Sequence, residues 1–206
     1  STAAKSGYVA IQQEGINEAA SQVNMIMGYH WDENATDERY IDPILAVTTT
    51  VGNGDLSEDG NTSRRLGTPQ ESYRSFVRSD GSEGSASTTL GDETGETEED
   101  DIDDFADSST NLVFIAETSE EAYVANYIET NITIARDVVY SNDAANYDQS
   151  TITFDPSFTD AGDTTNIKSI IVTLESNSGV DELEKKIILR GFSCNIGGYK
   201  LEEREF

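Results

Sequence analysis

Two acidic segments of the chain contain residues that could bind a divalent cation. In Asp55-Leu56-Ser57-Glu58-Asp59-Gly60, oxygen-bearing side chains occupy positions one, three and five and glycine occupies position six, as in the first half of an EF-hand calcium loop. Position twelve is Leu66, where such a loop requires a bidentate glutamate. The segment is therefore predicted to be a turn rich in Gly and Asp.

The run Asp100-Asp101-Ile102-Asp103-Asp104, followed by Asp107, is the densest acidic cluster in the sequence. Crowded carboxylates in an ordered loop need either counter-ions or exposure to water. We expect solvated charge in this segment. No metal ligand and no cofactor is therefore assigned, and Ca²⁺ is kept as the one candidate cation.

The sequence contains no recognisable catalytic constellation. His30 is the only histidine, so a Ser-His-Asp triad or a His-based metal site would have to include it. We expect His30 to interact with the C-terminal end of a helix. Cys194 is the only cysteine, which excludes an intramolecular disulfide and a cysteine-based zinc site, and we expect it to be a small buried residue in a strand. The chain is predicted not to be an enzyme, with no catalytic or cofactor-binding residue.

Composition excludes one large class of partner. Forty acidic residues against thirteen basic ones give a net charge of −27, which repels phosphate backbones and anionic membranes. We therefore expect no nucleic-acid partner. No apolar run reaches the roughly eighteen residues that a membrane span needs.

The residues that could do chemistry depend for their positions on a helix near the start of the chain. Apolar residues recur at steps of three, four and seven from Tyr8 to Trp31, which predicts an amphipathic helix over about 8–31. We expect Val23, Ile26 and Met27 to pack on a sheet. The predicted apolar stripe consists of Val9, Ile16, Ala19, Ala20, Val23, Ile26, Met27 and Trp31.

The last half of the chain is predicted to form strands. Residues 112–115 are a short apolar run typical of a buried strand, and 127–140 alternate between apolar and polar residues, except at Arg136, which falls on the apolar side. Further strands are predicted at 152–154, 170–174 and 186–194. The expected fold is α+β, with the long helix packed on an antiparallel sheet of four or five strands.

The chain is predicted to be a single domain over residues 1–206. It consists of the helix, an acidic loop-rich region at about 52–111 and a sheet region at about 112–206. Because the loop region contains almost no apolar periodicity, composition alone would predict disorder. We expect instead a long ordered loop with a short strand or two, since structureless loops of this length are unusual in compact domains.

Three Asn-x-Ser/Thr sequons occur, at Asn34, Asn61 and Asn131, and each has an acidic residue two positions earlier. This extended form resembles the acceptor preference of bacterial N-glycosylation. It suggests that the chain is exported, and it leaves the glycosylation of the three asparagines open.

The helix ending in Trp31-Asp32-Glu33-Asn34, the long loop, the antiparallel strands and the closing segment 192–199 together resemble the type IV pilin and pseudopilin family. In that family a hydrophobic half-helix anchors the subunit in the membrane and later packs in the filament core, while the head faces solvent. The resemblance implies such a half-helix before Ser1. The family's paired-cysteine loop is absent here.

The resemblance implies a structural subunit of a type IV pilus or secretion-type pseudopilus, acting by polymerisation and surface presentation. Its partners would be other pilin or pseudopilin subunits, and its membrane contact would be only through the preceding half-helix. It would be extracellular, on the cell surface or periplasmic. The alternative is a secreted β-sandwich that binds carbohydrate through Ca²⁺, using the loops at Asp55–Gly60 and Asp100–Asp107.

Overall fold

The computed structural model describes residues 2–36, 42–48, 58–59, 64–65, 72–96, 98–117, 127–142, 150–151, 157–177, 186–198 and 200–201. One α-helix, α1, spans Thr2–Ile26, and two 3₁₀ turns span Glu33–Ala35 and Asp103–Phe105. The strands are β1 (Glu58–Asp59), β2 (Arg64–Arg65), β3 (Ser72–Tyr73), β4 (Ser108–Glu117), β5 (Tyr127–Tyr140), β6 (Ile167–Asn177), β7 (Lys186–Cys194) and β8 (Lys200–Leu201).

The main sheet is a four-stranded antiparallel meander in the order β4-β5-β6-β7. Each strand of this sheet pairs with the strand that precedes or follows it in the sequence, so the sheet contains no crossover connection. β5 and β7 have the predicted bounds. β4 begins at Ser108, four residues before the apolar run that predicted it, because the pairing with β5 continues as far as Ser108↔Arg136.

The alternation in β5 and β6 places the apolar residues of both strands on one face of the sheet. This face is buried, and α1 packs across it. Burial of this apolar surface, at about 25 cal/mol per Å², supplies the main driving force for the fold. The buried residues of the two strands are Ile132, Ile134, Val138 and Tyr140 in β5 and Ile170, Val172 and Leu174 in β6.

The helix α1 ends at Ile26, five residues before the predicted end at Trp31. The N–H of Gly28 donates to the carbonyl of Met25, and that of Tyr29 donates to Ile26, so the last turn tightens to a 3₁₀ spacing and the chain leaves the helix. Trp31 is still buried in the core, but from the segment after the helix. Because Trp31 is apolar and falls at helical spacing, the sequence pattern predicted a helix that extends beyond the observed end at Ile26.

Arg136 interrupts the apolar face of β5 because it lies at the margin of the helix–sheet contact. Its Nε donates to Gln22 Oε1 of α1 at 2.9 Å, and its Nη2 donates to Thr110 Oγ1 of β4, also at 2.9 Å. The guanidinium therefore ties the helix to two neighbouring strands while remaining partly solvated.

The architecture is α+β, with one helix packed on a four-stranded antiparallel sheet, as predicted at that level. The two other sheets in the described part of the chain are two-stranded pairs, β1 with β2 and β3 with β8. The predicted strand at 152–154 and most of 52–71 lie outside the described residues. Among the described residues, no helix combines the length and the apolar character needed to cross a membrane.

Candidate functional site: an uncovered helix face and a buried acidic cluster

The sheet covers only one part of α1. Ala19, Val23 and Ile26 pack into the core, whereas Val9 is 65% exposed and Ile16 is 40% exposed. Residues seven apart lie about two turns apart on the same side of a helix. Val9 and Ile16 belong to the predicted apolar stripe, but the sheet does not cover them, since α1 packs on it mainly through Ala19, Val23 and Ile26. The part of α1 before Ala19 therefore leaves these two apolar side chains uncovered.

A glycine in β7 lets the second half of α1 approach the sheet closely. A β-carbon added at Gly191 would lie 2.8 Å from Val23 Cγ1 and 3.2 Å from Met27 Sδ. Met27 was predicted to pack on the sheet. Its sulfur does lie against β7, but the side chain is 46% exposed. The contact with Gly191 fixes where the helix crosses this strand.

Asp32 links the exit of the helix to three other parts of the fold and is fully buried. Its Oδ1 accepts hydrogen bonds from Asn34 N and Ser87 Oγ, both at 3.0 Å. Its Oδ2 accepts from Ser87 N at 2.9 Å, from Tyr140 Oη at 3.3 Å and from Lys168 Nζ at 2.9 Å. One carboxylate thus satisfies donors from the turn after α1, the loop at residue 87, β5 and β6.

Lys168 is the cation at the centre of this cluster, and its side chain is fully buried. Its Nζ donates to the Trp31 carbonyl at 2.7 Å and to Asp32 at 2.9 Å, and it forms an ion pair with Asp103 Oδ1. The ammonium also lies 4.2 Å from the centre of the Trp31 ring and 5.2 Å from that of Tyr140. These cation–π contacts and hydrogen bonds replace the water that the ammonium loses on burial.

The second acidic segment enters the core instead of facing solvent. Ile102 and Phe105 belong to the hydrophobic core, and Asp101, Asp103 and Asp104 are buried next to them. The prediction of solvated charge over this segment is wrong for these three aspartates. The apolar residues inside the run hold the acids in place, because Ile102 and Phe105 cannot be buried without their neighbours.

Only some of the oxygens of these buried carboxylates accept hydrogen bonds. Asp104 Oδ2 accepts from the backbone N–H groups of Asp100 at 2.8 Å and Asp101 at 3.0 Å, and Asp101 Oδ1 accepts from Asp103 N. Asp101 Oδ2, Asp103 Oδ2 and Asp104 Oδ1 have no donor within the described part of the chain. A buried polar atom without a partner costs about 1–3 kcal/mol.

The cluster contains more negative than positive charge. Asp32, Asp101, Asp103 and Asp104 are buried around one ammonium, that of Lys168. Burial raises the pKa of Asp103 to about 8 and that of Asp101 to about 6, although the nearby Lys168 acts in the opposite direction on both. The excess of buried carboxylate is therefore relieved by bound protons or by a further cation.

A turn at residues 93–96 adds two more carboxylates beside Asp104. Glu96 N donates to the Glu93 carbonyl at 3.1 Å, and Gly95 takes a φ of +103°, which favours glycine. Carboxylate oxygens of Glu93, Glu96 and Asp104 all lie within 4.8 Å of one another. Burial, together with a hydrogen bond to Glu96, raises the pKa of Glu93 to about 7. These three side chains form one of the two carboxylate groups in the described ranges that are close enough together to hold a metal ion.

A cavity of about 480 Å³ lies on another part of the surface, between β5 and the segment 160–164. Its lining includes Asp107, Asp137, Asp160 and Asp163. Burial raises the pKa of Asp137, and repulsion from Asp107 and Asp160 raises it further. The lining would repel an anionic ligand such as a nucleotide.

His30 is not part of the cavity lining, although its backbone pairs with that of Asp101 in the buried cluster. His30 is exposed, four residues beyond the end of α1, and its Nδ1 lies 2.8 Å from Asp42 Oδ2. The predicted interaction with the helix terminus is therefore wrong, because the helix ends too early. Cys194 is in a strand as predicted, at the end of β7, but it is only half-buried.

The structure tests the first acidic segment and the sequons only in part. Of Asp55–Gly60, only β1 is described, and its backbone pairs with β2 in the register Glu58↔Arg65 and Asp59↔Arg64. Asn34 is exposed in the 3₁₀ turn, and Asn131 lies within β5, paired with strands on both sides. Asn61 lies outside the described residues.

Sequence reasoning missed Lys168 and Asp32, although a signal for Lys168 was present. Lys168 shares its parity with Ile170, Val172 and Leu174, so the same alternation that predicted β6 places a lysine on the buried face. A lysine there requires an acidic partner. Nothing local to Asp32 shows that it would be that partner, since the two residues are 136 positions apart.

The chain matches no protein-family model, and no curated protein and no solved structure matches it.

Proposed function

We propose that this chain is a non-enzymatic structural subunit of a type IV pilus or a secretion-type pseudopilus, acting by polymerisation and surface presentation. The observation that carries the proposal is the division of α1 into two parts. Its C-terminal part packs on the sheet through Ala19, Val23 and Ile26, while Val9 and Ile16, which lie before this part, stay exposed. A helix built in this way can serve its own domain and a neighbouring subunit at once.

The exposed residues provide an energetic reason for assembly. Burying one Val or Ile side chain contributes about 1.5–3 kcal/mol, and a filament repeats the same contact at every subunit. The uncovered side chains of Val9 and Ile16 share one side of the helix, so a single neighbouring helix can cover both. Helix-to-helix packing of this kind is what the resemblance to pilins implies for the filament core.

The rest of the domain would present its surface to solvent. Lys168 and Asp32 hold the turn after α1 against β6, and Gly191 sets the approach of α1 to β7. Helix and head therefore form one unit, and packing the helix in a filament orients the head. The net charge of −27 would then lie on the outside of the polymer.

The proposal includes the location and the partners that go with this role. Other pilin or pseudopilin subunits would be the partners, and an apolar half-helix ahead of Ser1 would hold the subunit in the membrane before assembly. The site of action would be the cell surface, the exterior or the periplasm.

The alternative of a carbohydrate-binding β-sandwich has less support. A sandwich needs two sheets packed face to face. In the described ranges, α1 packs on the four-stranded sheet, and the other sheets have two strands each. The acidic loops of that alternative nevertheless bear on cation binding, which does not require a sandwich.

The test is to look for the protein in sheared surface appendages of the cells that produce it. Antibody labelling in the electron microscope should mark the length of filaments, and the gene should encode about twenty apolar residues ahead of Ser1. A soluble secreted protein that binds polysaccharide beads, and that is absent from the sheared fraction, would support the alternative and contradict the proposal.

A further inference from the structure

We infer that Glu93, Glu96 and Asp104 form a binding site for a hard divalent cation, with Ca²⁺ as the preferred ion. Each residue contributes a carboxylate oxygen, and these oxygens lie within 4.8 Å of one another. Three carboxylates in such proximity repel one another unless a cation or protons lie between them. The site belongs to the single chain, so the inference does not depend on polymerisation.

A second observation points to a ligand at this place. Asp104 is 3% exposed, and its Oδ1 has no hydrogen-bond donor among the described residues. Its other oxygen, Oδ2, is held by two backbone N–H groups, those of Asp100 and Asp101. The carboxylate is thus fixed in position with one oxygen unused. Carboxylate oxygens of Glu93 and Glu96 lie within 4.8 Å of this carboxylate.

The backbone turn at 93–96 holds the two glutamates in position. The Glu93–Glu96 turn is closed by the hydrogen bond from Glu96 N to the Glu93 carbonyl and by the positive φ of Gly95. Glu96 Oε2 also accepts from Glu93 N at 3.2 Å. The turn thus brings two carboxylates close enough to Asp104 to share one ion with it.

The chemistry of the ligands selects the class of ion. Oxygen-only sites suit Ca²⁺ and Mg²⁺, whereas Zn²⁺ prefers His and Cys. Ca²⁺ takes six to eight oxygens in flexible geometry and accepts bidentate carboxylates, while Mg²⁺ keeps several of its waters. Because Asp104 offers only Oδ1, the three carboxylates supply at most about five oxygens, and this ligand set with added waters fits Ca²⁺ better. The bound ion would tie the 93–96 turn to the 3₁₀ turn that carries Asp103.

A neighbouring acidic group provides an internal comparison. Glu33, Asp100 and Asp101 also bring carboxylate oxygens within 4.8 Å of one another. Asp100 is exposed, so water can solvate it without an ion. The inference is specific to the Glu93 group, and a variant in the Asp100 group can separate the two.

The experiment is calorimetric titration of the whole chain, dialysed against a chelator, with CaCl₂, MgCl₂ and NaCl at matched ionic strength. Replacing one ligand, as in Glu96→Gln or Asp104→Asn, should weaken Ca²⁺ binding by about tenfold or more. The matched control is Glu98→Gln, which removes the same charge from an exposed position of the same loop and should leave the affinity within about twofold.

Three results would overturn the inference. The first is the absence of a calcium-specific heat and of a calcium-dependent rise in melting temperature. The second is an equal loss of affinity in Glu98→Gln and Glu96→Gln, which would mean diffuse screening of the acidic surface. The third is loss of binding in Asp100→Asn with retention in Glu96→Gln. Circular dichroism of each variant checks that it is folded.

Discussion

Lys168 and Asp32 form an ion pair that is closed to solvent, with Nζ and Oδ2 2.9 Å apart and neither side chain exposed. The pair joins β6 to the turn after α1, at the point where the chain leaves the helix. It lies on the apolar face of the sheet, next to the aromatic rings of Trp31 and Tyr140. The helix, the sheet and the acidic segment are therefore coupled through one buried charge.

Replacing that charge should unfold the protein far more readily than replacing an exposed one. Lys168→Met should lower the free energy of unfolding by about 3–5 kcal/mol, because Asp32 would be left buried without its counter-ion. The control is Lys186→Met in β7, whose ion pair with Glu175 is about half exposed and should cost less than about 1 kcal/mol. Urea unfolding measures both. Equal losses of unfolding free energy in the two variants would contradict the prediction that the buried ion pair contributes more to stability than the exposed one.

Stability should fall as pH rises through the range in which Asp103 loses its proton. Its folded-state pKa of about 8 lies above the ordinary value of 3.8, so the folded state binds the proton more tightly than the unfolded state between those values. The contribution is present at low pH and is lost as pH rises through about 8. Lys168 faces the carboxyl as a cation, and Asp101 and Asp32 face it as acids.

The measurement is the melting temperature between about pH 6 and about pH 8, in the presence of a chelator. Asp103→Asn removes the titrating group and should give a shallower slope over this range. The net charge of −27 makes a background contribution of the same sign, which the variant retains almost unchanged. Identical slopes for the two proteins would contradict the assignment to Asp103.

The close approach of α1 to β7 should make Gly191 sensitive to a single added methyl group. Gly191→Ala should destabilise the fold by about 1–3 kcal/mol, because the new β-carbon would lie 2.8 Å from Val23 Cγ1. Val23→Ala alone should also destabilise, through the cavity it leaves.

In the double variant, the smaller side chain at position 23 makes room for the methyl group at position 191. Its loss of stability should therefore be smaller than the sum of the two single losses, a coupling that a double-mutant cycle measures. Simple additivity would mean that the helix does not press on this strand.

The sheet was predictable from sequence because its signal is local. Alternation over 127–140 predicted one strand at its observed bounds, and a second strand was predicted correctly at 186–194. The antiparallel sheet was predicted, but the order of its strands was not. The end of α1 was not predictable from the apolar pattern, since Trp31 continues the helical spacing after the backbone has already turned at Gly28. Helix ends depend on backbone hydrogen bonds that periodicity does not report.

The buried acidic cluster was beyond sequence reasoning for a different reason. Composition makes Asp101 and Asp103 look solvated, and only the packing of Ile102 and Phe105 shows that they are not. Their partner Lys168 lies in β6, more than sixty residues further along the chain. Residues so far apart in the chain show no regular spacing from which their contact could be predicted.

The proposed role depends most directly on the uncovered apolar residues Val9 and Ile16 of α1. The measurement is the yield of filaments, by electron microscopy and by protein in the sheared fraction, from cells that carry Ile16→Glu or Asn17→Glu in the full-length gene. Both variants add one negative charge to neighbouring exposed positions of the helix. A charge in place of Ile16 should reduce filament yield by at least about tenfold, since a buried apolar contact would be lost and a charge desolvated. Asn17→Glu should assemble almost normally. Equal filament yields in the two variants, or no filaments containing the unaltered protein, would contradict the proposal.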